Sequence, residues 1–224
     1  MIPSQQINIF LVVVACLAGL ITLSQTAHSA EVDVIVLYDK ATADQEQGNP
    51  TAKFRSIIDN ANIIYKNNGI DIQIRMISLE PWFVSVPDEN KDTLDKLSAS
   101  DKWDKRREEL GADLISWFVV TKDGSCGRAR WARKSDGTLN PDRSHVSMVK
   151  SSCSYISFVH ELGHNMGLGH SRKQDPDGGH IYEYGTGYGV QDTFATIMAY
   201  WSVFNTRRLP QFSDPTKNCK NVKM

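Results

Sequence analysis

No aspartate, glutamate, lysine or arginine occurs before Glu31. From Ile7 to Leu23 the chain is almost wholly apolar, and it then fades into Ser24-Gln25-Thr26-Ala27-His28-Ser29-Ala30. An apolar run followed by a small-residue zone reads as a secretory signal, cleaved after Ala30 or one to three residues earlier. The opening MIPSQQ lacks the usual positive side chain. A retained anchor competes with this reading, because the run is just long enough to span a bilayer with little tilt. Lipidation of Cys16 fits less well, since apolar residues continue past it. Residues 1–30 are therefore expected to be a signal peptide and 31–224 one domain, secreted to the periplasm or the exterior and free of the membrane once cleaved.

An excess of one charge is also missing: 25 basic side chains face 26 acidic ones. Nothing here suggests the basic face of a nucleic-acid binder, so no nucleic-acid partner is expected. Cysteine is scarce. Of four, Cys16 leaves with the signal, and Cys126, Cys153 and Cys219 remain for an oxidising compartment. Three pairings are open, and each leaves one thiol over. Neither an internal repeat nor an interdomain linker is visible. The chain has 41% hydrophobic and 23% charged residues, enough to build a globular core.

The first ninety residues after the signal alternate between two periodicities. Val32 to Tyr38 is a short apolar, β-rich run of the kind buried on both faces of a sheet. Asn49-Pro50 opens a helix in which Phe54, Ile57, Ile58, Ala61 and Ile64 recur at helical spacing, until Asn68-Gly69 stops it. Ile70, Ile72, Ile74 and Met76 alternate with polar residues, as in a half-buried strand. Lys91 to Leu110 reads as one charged helix turning Leu94, Leu97, Trp103 and Leu110 inward, and Leu114 to Val120 as another buried strand. Strand, helix, strand, helix, strand predicts an α/β domain with a mostly parallel sheet.

The chemistry is concentrated in residues 160–170, HELGHNMGLGH. His160 and His164 are four apart, so on a helix both imidazoles point to one side and can meet one metal ion. Tyr155, Phe158, Leu162 and Met166 form an apolar stripe on another face, and Ser154 or a nearby serine is placed to cap the helix start. Gly167 can leave the helix through a left-handed residue and return His170 to the same ion. Three nitrogen ligands leave a fourth position open, the arrangement of a catalytic zinc site. Glu161, beside the first ligand, is the candidate general base for water attacking a peptide carbonyl.

This run resembles the signature of the metzincin zinc endopeptidases. Thr196-Ile197-Met198-Ala199-Tyr200-Trp201 is similar to their Met-turn, so the resemblance implies that Met198, 28 residues beyond His170, underlies the imidazoles. It also implies that Tyr200 matches the tyrosine that, in astacins and serralysins, hydrogen-bonds the tetrahedral intermediate. Within the clan the chain resembles bacterial secreted proteases related to peptidyl-Asp metalloendopeptidase, which adjoin the adamalysin-like group. That likeness runs through VDVIVLY, NNGIDIQIRMI, GADLISWFV, CGRARW, the zinc motif, TIMAYW and RLPQFSDP. Ser171 departs from the aspartate of adamalysins, as in matrixins, and MAYW resembles serralysins.

The resemblance implies a metzincin catalytic domain: a twisted, mostly parallel sheet with an antiparallel edge strand, an active-site helix, and a small irregular C-terminal subdomain after the third histidine. It makes Gly127 to Trp131 the edge strand above the cleft, with Gly127, Arg128, Ala129 and Arg130 against an extended substrate. It pairs Cys126 with Cys153 and leaves Cys219 free or intermolecular. A preference for acidic residues after the scissile bond, implied by the subgroup, needs a cation, for which Arg208 is the candidate and Arg128 and Arg130 its rivals. The loop from Asp175 to Gly189 is expected to shape the lower cleft; its DPDGG hints at calcium, and His180 is taken as a loop residue. The expectation is a monomeric zinc endopeptidase acting on protein or peptide substrates. The alternative is a noncatalytic secreted binding protein with a structural zinc site.

Overall fold

The structure, a computed structural model, describes residues 29–133, 138–140 and 144–224. Most of the expected signal segment therefore lies outside the described residues, and among those described no helix is long and apolar enough to cross a membrane. Strands β1 (Ala30–Tyr38), β2 (Ile72–Pro81), β3 (Leu114–Val119), β4 (Gly127–Ala129) and β5 (Val146–Lys150) form one sheet in the order β2-β1-β3-β5-β4. All neighbours are parallel except β4, which runs antiparallel to β5 along the edge. The expected α/β sheet with an antiparallel edge strand is thus the architecture found.

Both faces of the sheet are covered, which is why its central strands are mostly apolar; the buried Ser116 of β3 and Ser147 of β5 satisfy each other at 3.0 Å. Val34 and Val36 of β1 and Phe118 of β3 pack with α2 (Thr51–Asn67) and α5 (Tyr155–Asn165) on one side. Ile35 and Leu37 of β1 and Ile115 and Trp117 of β3 pack with α3 (Asn90–Ser98) and α4 (Asp101–Leu110) on the other. β2 lies at the sheet's other edge, which accounts for its alternation: Ile74 is buried while Gln73 is exposed.

Two features depart from the sequence reading. The expected single helix over 91–110 is two helices, broken at Ala99-Ser100. Leu94 and Trp103 are nine residues apart, about 180° around a straight helix at ~100° per residue, so one continuous helix could not bury both. The break rephases the chain, and Leu94, Leu97 and Trp103 are all 2% exposed or less. A short helix, α1 (Lys40–Gln45), was not foreseen, being too brief for periodicity to show. It is nucleated by Asp39, whose carboxylate accepts from Thr42 N at 2.7 Å and Val120 N at 3.1 Å.

Beyond α5 the chain forms short hairpins, β6 (Gly189–Val190) with β7 (Phe194–Ala195) and β8 (Asn218–Cys219) with β9 (Val222–Lys223), and a 3-10 turn at Trp201–Phe204. This irregular unit is held to the α/β part through a shared core in which Ile197, Met198 and Phe212 pack with α2 and α5. Phe158 of α5 is fully buried, with its ring 5.7 Å from that of Phe118. Phe158→Ala is expected to cost ~3–5 kcal/mol of stability, measurable by urea unfolding; a loss under 1 kcal/mol would show that α5 is anchored elsewhere.

Candidate active site

Ser154 occupies the cap position of α5 in extended conformation, but its side chain makes no capping bond. The helix is held instead by burial of Phe158, Val159 and Leu162, each 0% exposed, in the sheet-facing core. That packing leaves His160 and His164 on one side, one turn apart and each 3% exposed. Gly167 ends the helix at φ +95, and a Cβ there would come within 2.7 Å of Ile181. The turn brings back His170, so that the His164 Nε2 lies 3.1 Å from the Nε2 of both His160 and His170.

The hydrogen bonds behind these rings decide what the cluster can hold. His160 Nδ1 is 2.8 Å from the Ile197 carbonyl and His164 Nδ1 2.9 Å from that of Leu168. A carbonyl only accepts, so each Nδ1 carries the proton and, in the neutral ring, each Nε2 is a bare lone pair. The rings are neutral: burial first, and then the neighbouring histidines, drive His160 well below its usual range, His164 to about 3 and, through burial, His170 to about 4. The lone pairs of His160 and His164, pointed at one another at 3.1 Å, repel unless a cation lies between them, and neutral imidazole is a zinc donor. The three histidines are the one such group among the described residues, and their donor set suits zinc.

Met198 is 1% exposed and packs against α5, the helix that carries His160 and His164. A Cβ on Gly163 would stand 2.5 Å from its sulfur, so the glycine inside the helix exists to admit the methionine. Sequence reasoning passed over Gly163, although glycine in a helix interior is itself a signal. Glu161 is 4% exposed, and a Cβ on Gly127 would fall 2.6 Å from its Oε1. Gly127, expected as a substrate contact, is thus also the gap that accommodates this carboxylate. Among the protein's own groups, burial pushes the Glu161 carboxyl up to about 8, opposed by the cations of Arg208 and Arg128. Tyr200 has its ring 4.7 Å from that of His170.

A cleft of about 590 Å³ opens beside this cluster, between Gly124–Gly127 on one wall and Tyr200–Ser202 on the other, with Ser154, Ser157, His160 and Glu161 along its floor and Arg208 lining it. Arg208 is largely buried, its Nε has no partner, and burial works against its charge while Glu161 and Tyr200 support it. Its backbone is fastened by a bridge to Ala195 and by Leu209 N donating to Ala195 O at 2.8 Å. The rivals are differently placed. Arg128 is exposed, and Arg130 is turned to α3, where Asp95 and Ser98 hold its guanidinium. Ala129 is 5% exposed and belongs to the core side of β4.

Cys126 and Cys153 are bonded, tying the start of β4 to the turn before α5. Cys219 is unbonded within the chain and buried. In the loop over 175–189, Gly179 packs against Trp131 and Gly187 against the Met198 backbone. In its DPDGG segment Asp175 accepts from Gly178 N at 3.2 Å, and His180 is half-buried near Gly178.

The sheet, the helix with its returned third histidine and the methionine floor define a metallopeptidase domain of metzincin type. The family model described as metallo-peptidase family M12, of reprolysin type, matches residues 28–213, and the chain belongs to that family. It is 30% identical over 221 residues to a peptidyl-Asp metalloendopeptidase of Pseudomonas aeruginosa, covering 89% of this chain and 37% of that protein. A peptidyl-Asp metalloendopeptidase of Xanthomonas campestris pv. campestris is 24% identical over 215 residues, covering 92% of this chain. The chain spans half the length of that second relative. Among solved structures, one titled as a chaperone-substrate complex superposes with a TM-score of 0.67 at 18% identity, over 88% of this chain and 32% of the other, a likeness of fold.

Equilibrated with zinc and dialysed, the protein is expected to retain one ion per chain by elemental analysis, and His164→Ala to retain none. Equal zinc in both would exclude the cluster as the binding site.

Proposed function

We propose that the chain is a secreted zinc endopeptidase in which His160, His164 and His170 hold the metal and Glu161 is the general base. The observation that carries this reading is a buried carboxylate next to three convergent imidazole nitrogens, at the floor of a cleft bounded by an edge strand. A zinc ion held there supplies a Lewis acid that acidifies water, polarises a carbonyl and draws the Glu161 carboxyl back toward its ionised form. Glu161 accepts the proton of the attacking water and passes it to the departing amine. The Tyr200 hydroxyl donates a hydrogen bond to the developing oxyanion. The outer edge of β4 receives the substrate as an added strand, with Gly127 and Arg128 nearest its backbone.

The acidic preference named in the two relatives comes to this chain through Arg208. A mostly desolvated cation lining the cleft loses little further hydration in binding a substrate carboxylate, and is left unpaired when the substrate offers an apolar side chain instead. We place the signal in residues 1–30 and the catalytic domain in 31–224. The domain is taken to act as a monomer on protein or peptide chains, with neither nucleic acid nor membrane as partner and with calcium unassigned. A noncatalytic zinc module would have no use for a buried carboxylate beside its ligands.

Glu161→Gln is expected to keep its zinc while kcat on casein falls by ~10²–10⁴-fold, wild-type cleavage being abolished by a chelator and restored by zinc. Zinc-loaded, oxidised wild type that cuts no protein at any pH would return the reading to a binding module. Against a peptide library read by mass spectrometry, the wild type is expected to cut before Asp or Glu, and Arg208→Gln to lose at least about tenfold of that preference. Unchanged specificity in Arg208→Gln would remove Arg208 from the pocket's chemistry.

A further inference from the structure

One aromatic side chain lies against the histidine cluster without belonging to it. Trp131, two residues beyond β4, stacks on His164 with ring centroids 4.9 Å apart and planes 11° from parallel. It also meets His170 edge-on, at 5.5 Å and 85°. Its own position is determined from two sides. The segment around it is tied to α5, with Ala132 N donating to His164 O at 3.3 Å and the Asn165 amide to the Arg130 and Val146 carbonyls at 2.9 and 3.0 Å. From the loop after the third histidine, Gly179 sits on the indole at φ +58, so close that a Cβ there would lie 1.5 Å from the six-membered ring.

The hydrogen bond from His164 Nδ1 to Leu168 O pins one atom of the ring but permits rotation about that axis. A parallel indole at stacking distance blocks such rotation. His170 has no carbonyl partner among the described residues, so its plane depends on ring contacts, with Trp131 on one side and Tyr200 at 4.7 Å on the other. An imidazole that donates its lone pair to a cation becomes electron-poor, and the electron-rich face of an indole then attracts it more strongly. The stack is therefore stronger with the metal bound than without it, and that difference is metal affinity.

We propose that Trp131 is a positioning residue for the metal centre, an aromatic backstop that sets the ring planes of His164 and His170 and raises zinc affinity through them. The inference rests on the reading of the three histidines as zinc ligands. It does not require Trp131 to touch substrate. Gly179 becomes part of the same device, since only a residue without a side chain lets the loop close over the indole.

The test measures zinc affinity of the full-length protein by competition with a chromophoric chelator, in the wild type, Trp131→Phe, Trp131→Leu and Gly179→Ala, each first checked for the intact Cys126–Cys153 bond and wild-type far-ultraviolet circular dichroism. Trp131→Leu is expected to raise the zinc Kd about 10–100-fold, the range for losing a partner that orients a ligand, while Trp131→Phe, which keeps an aromatic face, stays close to wild type. Gly179→Ala, which pushes a methyl into the indole and alters no ligand, is expected to weaken zinc in the same direction. The visible d–d bands of the cobalt-substituted protein should shift in Trp131→Leu and not in Trp131→Phe. Wild-type affinity and cobalt spectrum in Trp131→Leu would overturn the inference while leaving the metal centre intact, as would equal losses in the Phe and Leu variants. A wild type that takes up no zinc would overturn the metal centre and this inference together.

Discussion

Three imidazole nitrogens converging on one point, two of them bare lone pairs, are the constraint to which the rest of the domain is fitted. Bringing them together costs free energy twice: the rings are withdrawn from water, and their lone pairs repel. The surrounding structure therefore over-determines their positions. Carbonyls of Ile197 and Leu168 hold two Nδ1 protons, the core beneath α5 holds the helix, and the left-handed turn at Gly167 holds the third ring. Ile197 belongs to the irregular C-terminal part and α5 packs on the sheet, so the site is complete only when the two parts are docked.

Glycine recurs wherever that docking is tightest, and each time for a different neighbour. Gly163 admits the Met198 sulfur, Gly127 the Glu161 carboxylate, and Gly179 the Trp131 indole. The edge strand, the methionine floor and the loop after His170 thus each approach the cluster at a point where a Cβ would have stood in the way. Burial then tunes what has been assembled. It keeps the imidazoles neutral, and hence donors, and it leaves Arg208 a largely desolvated cation lining the same cleft.

Local pattern carried much of the fold. The mostly apolar runs of β1 and β3 signal a sheet covered on both faces, whereas the alternation of β2 signals one half-exposed face, because burial on one or two sides leaves different spacings. The helix over 91–110 was misread for a reason equally local: Leu94 and Trp103 cannot share one face of an unbroken helix, and phase arithmetic on the sequence would have exposed the break. Trp131 was different. Its identity as a ring against two ligands depends on residues 33 and 39 positions away, and nothing in CGRARW marks that contact.

The sequence by itself determined the donors, since a histidine pair four apart on a helix, a glycine to turn the chain and a third histidine specify which atoms can converge, independently of where the helix sits. Tertiary structure decided their surroundings: which tautomer each ring adopts, which glycine makes room for which neighbour, and which of three arginines enters the cleft. Arg208 enters because a bridge to Ala195 fastens its backbone there, whereas Arg130 is claimed by Asp95 and Ser98 on the other side of the sheet edge. The physical reason is range. Helical spacing is set by bonds a few residues apart, while desolvation and ring stacking arise only between segments that the completed fold brings into contact.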